Sequence, residues 1–236
     1  MKKILGIIGL RSGSKGLKNK NIKKFNGKPL FYWIVKKALS SKYLNRVIVC
    51  TDSNNYRKKA LLFGAESPYL RSKKISKDSS DEIEFIKNLL DKLYKDENYR
   101  PDIIVRLLAT VPFQLTADID KTILKLKNNK KLDSVLAIAE AAQHPNKALK
   151  IKKNFIFPYN GKNPINIGHK QNRKYYEKAY FRANIVATRI KIFEKYKSLT
   201  GKKNSYILIP KLRSVDIDDR IDFNYATFIQ KKYKIN

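Results

Sequence analysis

One cysteine, Cys50, stands in 236 residues. That excludes an internal disulfide and any site built on several thiolates, and it points to a reducing, cytoplasmic compartment. Histidine is nearly as scarce: His144 and His169 are too isolated in sequence to suggest a metal centre. Nine glycines and eight prolines are too few for a collagen-like or linker-dominated chain. No apolar run reaches about 18 residues, so no helix is expected to cross a membrane. The apolar stretch Ile4–Leu10 ends at Arg11 with no small-residue cleavage site after it, which reads as a buried first strand rather than a signal peptide. Acidic residues are also few, 20 against 52 Lys and Arg, for a net charge of +32. A polyanion partner would explain that excess. So would a compositional bias, because the lysines are dispersed from Lys2 to Lys234 among many Asn and Ile. Net charge bears on solubility and nonspecific binding rather than on activity.

What is present suffices for a core: 42% hydrophobic and 11% aromatic residues rule out disorder throughout. Strand-like and helix-like segments alternate. Strands are expected at Lys3–Gly9, Arg46–Thr51, Asp102–Leu108, Asp133–Ala139 and Tyr206–Ile209. Helices are expected after Pro29, over Asn54–Phe63 and Ser79–Tyr94, after a Thr116 cap, and over Asp219–Tyr233. This order predicts one α/β domain over 1–236, with a mostly parallel sheet covered on both faces. Residues 143–188 break the pattern with dense Pro, Gly, Asn and aromatics, and read as a β-rich arm. In such a sheet the ligand lies beyond the carboxyl ends of the strands, so the loops after Gly9, Thr51 and Leu108 become the places to search.

Two motifs there carry chemistry. Arg11-Ser-Gly-Ser-Lys-Gly16, followed by Lys18, Lys20 and Asn21, is a glycine-rich basic turn whose backbone N–H groups can approach phosphate oxygens. Arg11 adds a planar fork and Lys15 a compact charge. It is not a Walker A loop, because Ser14 precedes Lys15 and Gly16 follows it. Near the other end lies Ser214-Val-Asp-Ile-Asp218, then Asp219 and Asp222. If that segment is extended, Asp216 and Asp218 share a face and suit Mg²⁺ held jointly with substrate phosphates. The alternative is helix capping by Asp218 or Asp219. A weaker signal is the exit of the third strand, where Thr110 offers a hydroxyl before Pro112. Cys50 reads as a buried strand residue.

Together these motifs resemble the acylneuraminate cytidylyltransferases, the CMP-sialic acid synthetases and their relatives. The likeness is carried in order by RSGSKG, KNKNI, Asn26–Leu30, Thr51–Ser53, Phe63–Glu66, Lys77–Ser80, Leu107–Pro112, Phe181–Asn184 and Ser214–Asp218. It implies a three-layer nucleotide-diphospho-sugar transferase fold with a dimerisation arm at about 143–185, and a homodimer. It implies transfer of CMP from CTP to the anomeric hydroxyl of an acidic 2-keto sugar, with Mg²⁺ and release of pyrophosphate, for surface glycans. On this resemblance Arg11, Ser14, Lys15, Gly16, Asn21, Arg71 and Ser79 contact CTP; Thr110, Arg173 and Asn184 approach the sugar; Asp216 and Asp218 hold the metal; and Lys15, Arg11 and Asp216 are catalytic. Three positions depart from the family pattern, all on the sugar side. Leu108 stands where glutamine is usual, Gln114 where arginine is usual, and Ile185 where glycine is usual. Legionaminic, pseudaminic or another acidic sugar is therefore an open acceptor. The alternatives are a CMP-3-deoxy-manno-octulosonate synthetase and, in a different class, a noncatalytic basic nucleic-acid binder. The first reading needs no specific nucleic acid and no membrane.

Overall fold

Successive side chains of a strand point to opposite faces, so a near-continuous apolar run makes a strand buried on both, and the first strand shows how the layers arise. In β1 (Ile4–Leu10), Ile4, Ile8 and Leu10 join one apolar cluster while Leu5 and Ile7 join another on the opposite face. The structure is a computed structural model that describes residues 2–13, 16–77, 80–159 and 176–235. A short hairpin, β2 (Lys24–Phe25) and β3 (Lys28–Pro29), leads into α1 (Leu30–Leu39), and β4 (Arg46–Thr51) into α2 (Asn54–Leu62). Then come α3 (Glu82–Glu97), β5 (Ile103–Leu107), α4 (Thr116–Asn128) and β6 (Ser134–Glu140). A second hairpin, β7 (Leu149–Lys152) with β8 (Phe155–Pro158), precedes β9 (Tyr180–Arg189), α5 (Ile190–Tyr196), β10 (Asn204–Leu208) and α6 (Arg220–Tyr233).

The main sheet has the order β10-β6-β9-β5-β1-β4. β1 pairs parallel with β4 and β5, and β10 parallel with β6, while β9 runs antiparallel between β5 and β6. Helices α1, α2 and α4 cover one face, and α3 and α5 the other. The three-layer, mostly parallel expectation therefore holds.

The structure differs from expectation in three places. The arm ends earlier: β9 is a central strand of the sheet, and Ala183, Ile185, Val186 and Ala187 are buried in it. Among the arm's described residues the β7–β8 hairpin stands apart from the main sheet, and residues 160–175 lie outside the described residues. Thr116 is the first residue of α4 rather than its cap, and its hydroxyl donates to the Lys37 carbonyl instead. Helix α5 has no counterpart among the expected helices.

A third apolar cluster builds the edge of the sheet where the motifs lie. Leu17, Phe25, Leu30, Phe113, Ile217 and Phe223 pack together with Ala226 and Ile229. Phe25 meets Phe113 and Phe223 edge-on, each at 5.9 Å. These apolar residues are interleaved with the polar motifs. Leu17 follows the glycine turn, Phe113 follows the β5 exit, and Ile217 sits between the two aspartates. Burying each side chain stabilises the fold by about 1.5–3 kcal/mol, so the hydrophobic effect itself draws the three polar segments to one edge. Nearby, Arg213 pairs with the buried carboxylate of Asp118, which also accepts the Leu115 N–H at 3.0 Å. Asp118→Ala would strand a half-buried guanidinium and is expected to cost about 3 kcal/mol. Urea unfolding measures this, and a loss under about 1 kcal/mol would show that solvent takes over the pairing.

Candidate functional site

The carboxyl ends of β1 and β5 open onto a cleft of about 310 Å³. Arg11, Lys20, Asn21, Arg71, Thr110 and Asp218 line it, together with Glu82, Phe85 and Arg106. Glycine makes the closest approach possible. A Cβ on Gly16 would lie 2.5 Å from the carbonyl oxygen of Asp218, so only glycine lets the basic turn touch the aspartate segment. Lys20 Nζ then pairs with Asp218 Oδ1 at 2.9 Å, across 198 residues of sequence. The turn is also anchored from behind. Ser12 donates from its backbone N–H to Asp52 Oδ1 and from its hydroxyl to Oδ2, at 2.7 and 2.6 Å. Asn21 is buried and donates from its amide to the Arg11 carbonyl at 3.2 Å.

Arg71 is fixed by its chain position and by its ring contact. Its backbone N–H donates to Thr51 at 2.8 Å, Nε donates to the Ile75 carbonyl at 2.6 Å, and the guanidinium lies 4.6 Å from the Phe85 ring centroid. Burial lowers its pKa. Gly9 lets Phe85 close on the strand, since a Cβ there would stand 2.6 Å from the ring.

In the acidic segment the helix cap falls to Asp219, not Asp218. Asp219 caps α6, accepting from Asp222 N–H at 2.9 Å, while Asp222 Oδ2 accepts from Asp218 and Asp219 N–H at 2.9 and 3.1 Å. Asp216 and Asp218 are left on the outer side of an extended stretch, with Ile217 fully buried between them. Asp218 lines the first cleft. Asp216 lines a second cleft of about 540 Å³ with Glu140, Arg182, Lys211 and Tyr225. Thr110 joins the two: it lines the first cleft, its carbonyl accepts the Ile217 N–H at 2.9 Å, and its side chain lies close enough to Asp216 to hold that carboxyl's pKa down. Burial raises the Asp216 pKa, and the negative charges of Asp218 and Asp222 raise it further, against Thr110 and Lys20. The residue as a whole is nonetheless exposed, opening onto the second cleft. No group of three or more His, Cys, Asp or Glu side chains among the described residues could hold a metal. Two mutually repelling carboxylates beside a cleft do fit Mg²⁺, which takes few protein ligands and shares substrate phosphates.

Of the expected site residues, Arg11, Asn21, Arg71, Thr110 and Asp218 line the first cleft, Gly16 abuts the Asp218 carbonyl, and Asp216 lines the second cleft. Ser14, Lys15, Ser79 and Arg173 lie outside the described residues. Asn184 is 2% exposed and lines neither cleft; its Oδ1 accepts the Leu108 N–H at 2.7 Å, while its amide nitrogen has no hydrogen-bond partner among the described residues. The departing residue Gln114 is likewise buried. Cys50 is a strand residue whose thiol burial pushes up to about 12, so it stays protonated. No helix among the described residues is long and apolar enough to cross a membrane.

Known proteins place this architecture. The family described as Cytidylyltransferase matches residues 5–226. The N-acylneuraminate cytidylyltransferase of Escherichia coli O18:K1:H7 is 30% identical over 247 residues, covering 98% of this chain and 52% of that protein. The CMP-N,N'-diacetyllegionaminic acid synthase of Legionella pneumophila is 29% identical over 232 residues, covering 94% and 93%. The chain thus spans about half the length of the first relative and nearly all of the second. The solved structure of a CMP:2-keto-3-deoxy-manno-octonic acid synthetase complexed with CTP matches with a TM-score of 0.71 over 98% of this chain and 99% of the other, at 13% identity, a likeness of fold. The family match spans nearly the whole chain, and the chain therefore belongs to the cytidylyltransferase family.

Proposed function

We propose that the protein transfers CMP from CTP to the anomeric hydroxyl of a nonulosonate, an acidic nine-carbon 2-keto sugar. The observation that carries this is the contact of Gly16 with the Asp218 carbonyl, reinforced by the Lys20–Asp218 pair. A basic phosphate-binding turn and a carboxylate pair meet at one cleft, with a second cleft beginning at Asp216. CTP occupies the first cleft and the sugar the second. The sugar oxygen attacks the α-phosphorus, the bond from that phosphorus to the bridging oxygen breaks, and pyrophosphate leaves. Phosphoryl transfer of this kind needs positioning and charge neutralisation more than covalent help from the protein. Arg11, Lys15 and Lys20 bring positive charge to the phosphates, and Asp216 stands where it can receive the hydroxyl proton. A Mg²⁺ ion held by Asp216 and Asp218 would neutralise charge on the departing pyrophosphate.

Relatives named for nonulosonates favour that acceptor over 3-deoxy-manno-octulosonate. The exposed apolar residues Ile151, Phe155 and Ile156 of the β7–β8 hairpin support a homodimer formed through the arm. The domain is read as continuous over 1–236 and as working in the cytoplasm, and its +32 charge needs no nucleic-acid partner. The test is a pyrophosphate-release screen of CTP, UTP, GTP and ATP, each with several 2-keto acid sugars and Mg²⁺. Release is expected only with CTP plus a nonulosonate. Release with another nucleotide, or none with any pairing, would contradict the proposal.

A further inference from the structure

We propose that Glu82 and Arg106 read the nucleobase in the first cleft and select cytosine over uracil. The inference rests on the proposed binding of CTP and adds residues that neither the motifs nor the family likeness singled out. Arg106 is out of place for its strand. β5 is otherwise apolar, Ile103 to Leu107, and Arg106 is 6% exposed within it, yet it lines the cleft. Its Nη1 donates to the Asn184 carbonyl at 2.5 Å. Its Nε lies 3.2 Å from Glu82 Oε2 in an ion pair, but makes no hydrogen bond among the described residues. A buried donor left unmade is costly; Nε itself is enclosed beside Glu82, and it is as a pair that Arg106 and Glu82 line the cleft where a ligand meets them.

Glu82 is held in turn. It opens α3, where the helix dipole favours a carboxylate, just after the N-cap Asp81. Its charge decides what the pair can bind. A phosphate or a sugar carboxylate approaching Arg106 would meet Glu82 at 3.2 Å from the same guanidinium, so the pair is poorly suited to an anion. It offers a donor beside an acceptor instead. The edge of cytosine matches this, with its N4 amino group donating and N3 and O2 accepting. Uracil presents O4 and N3–H, the reverse order, and sets an oxygen against the carboxylate. Leu108, read from the sequence as a sugar-side position, lies in this first cleft and supplies apolar surface for the face of a planar ring.

The experiment is calorimetric titration of the full chain with CTP and with UTP, in Mg²⁺ and without sugar, for the wild type, Glu82→Gln and Arg106→Lys. The wild type is expected to bind CTP more tightly by about tenfold or more. Glu82→Gln should weaken CTP and strengthen UTP, because a glutamine amide can turn its N–H to O4, and the ratio should fall by about tenfold. Arg106→Lys keeps the charge but loses the planar fork, and should weaken CTP without strengthening UTP. If Arg106→Lys does not fold, Glu82→Gln, at a half-exposed helix start, carries the test alone. A wild type that selects CTP while Glu82→Gln keeps the same ratio would overturn the inference and leave the CTP reading standing. A wild type that binds neither nucleotide would overturn both.

Discussion

Gly16→Ala is expected to lower kcat/KM for CTP-dependent pyrophosphate release by roughly a hundredfold or more. The added methyl would stand 2.5 Å from the Asp218 carbonyl oxygen, which is backbone and cannot swing away like a side-chain end. Either the glycine turn or the aspartate segment must move, and a displacement of about 1 Å in a positioned site can cost that much. The fold should survive, because Leu17 and Ile217 keep their places in the apolar cluster beneath. Thermal unfolding separates the two effects: a midpoint near the wild type with activity lost supports the close approach as a functional requirement. Activity within about threefold of the wild type would mean that the contact is incidental.

Asp216→Asn should be as damaging for a different reason. The substitution is isosteric and keeps a polar group beside Thr110, but it removes the charge from the wall of the second cleft. Deleting one preorganised electrostatic group from a reaction centre typically costs about 10²–10³ in kcat, and the Mg²⁺ concentration needed for half-maximal rate should rise. Asp219→Asn provides the contrast. Asn serves an N-cap nearly as well as Asp, and Asp219 spends its carboxylate on the Asp222 N–H, so rate and Mg²⁺ titration should both stay within about twofold. An unaltered metal titration in Asp216→Asn would remove that residue from the metal site.

Much of the fold is legible in the sequence because burial imposes periodicity. Arg46–Thr51 is a strand with the bounds read from its apolar run. β9 is hidden for a physical reason. It begins with exposed Tyr180, Phe181 and Arg182, so its polar opening merges with the irregular stretch before it, and only residues 183 to 188 carry the signature of burial. Thr116 shows the same limit at shorter range, since a hydroxyl that could cap a helix finds the carbonyl of Lys37, 79 residues away, instead. The site is legible as two motifs, and their meeting accords with the rule that ligands sit at the strand ends. Lys20 is visible as a basic residue following the glycine turn, but its partner Asp218 is set by tertiary packing. Glu82 and Arg106 form no motif at all. A lone charge in an apolar strand and a glutamate at a helix start acquire meaning only when the fold brings them within 3.2 Å.

The turn around Gly16 and the segment around Asp216 and Asp218 should close on the same nucleotide. Hydrogen–deuterium exchange with and without CTP and Mg²⁺ measures this directly. Binding is predicted to slow exchange together in residues 16–23 and 212–222, over the same CTP concentration range. Protection of one stretch while the other exchanges at its free rate would contradict it.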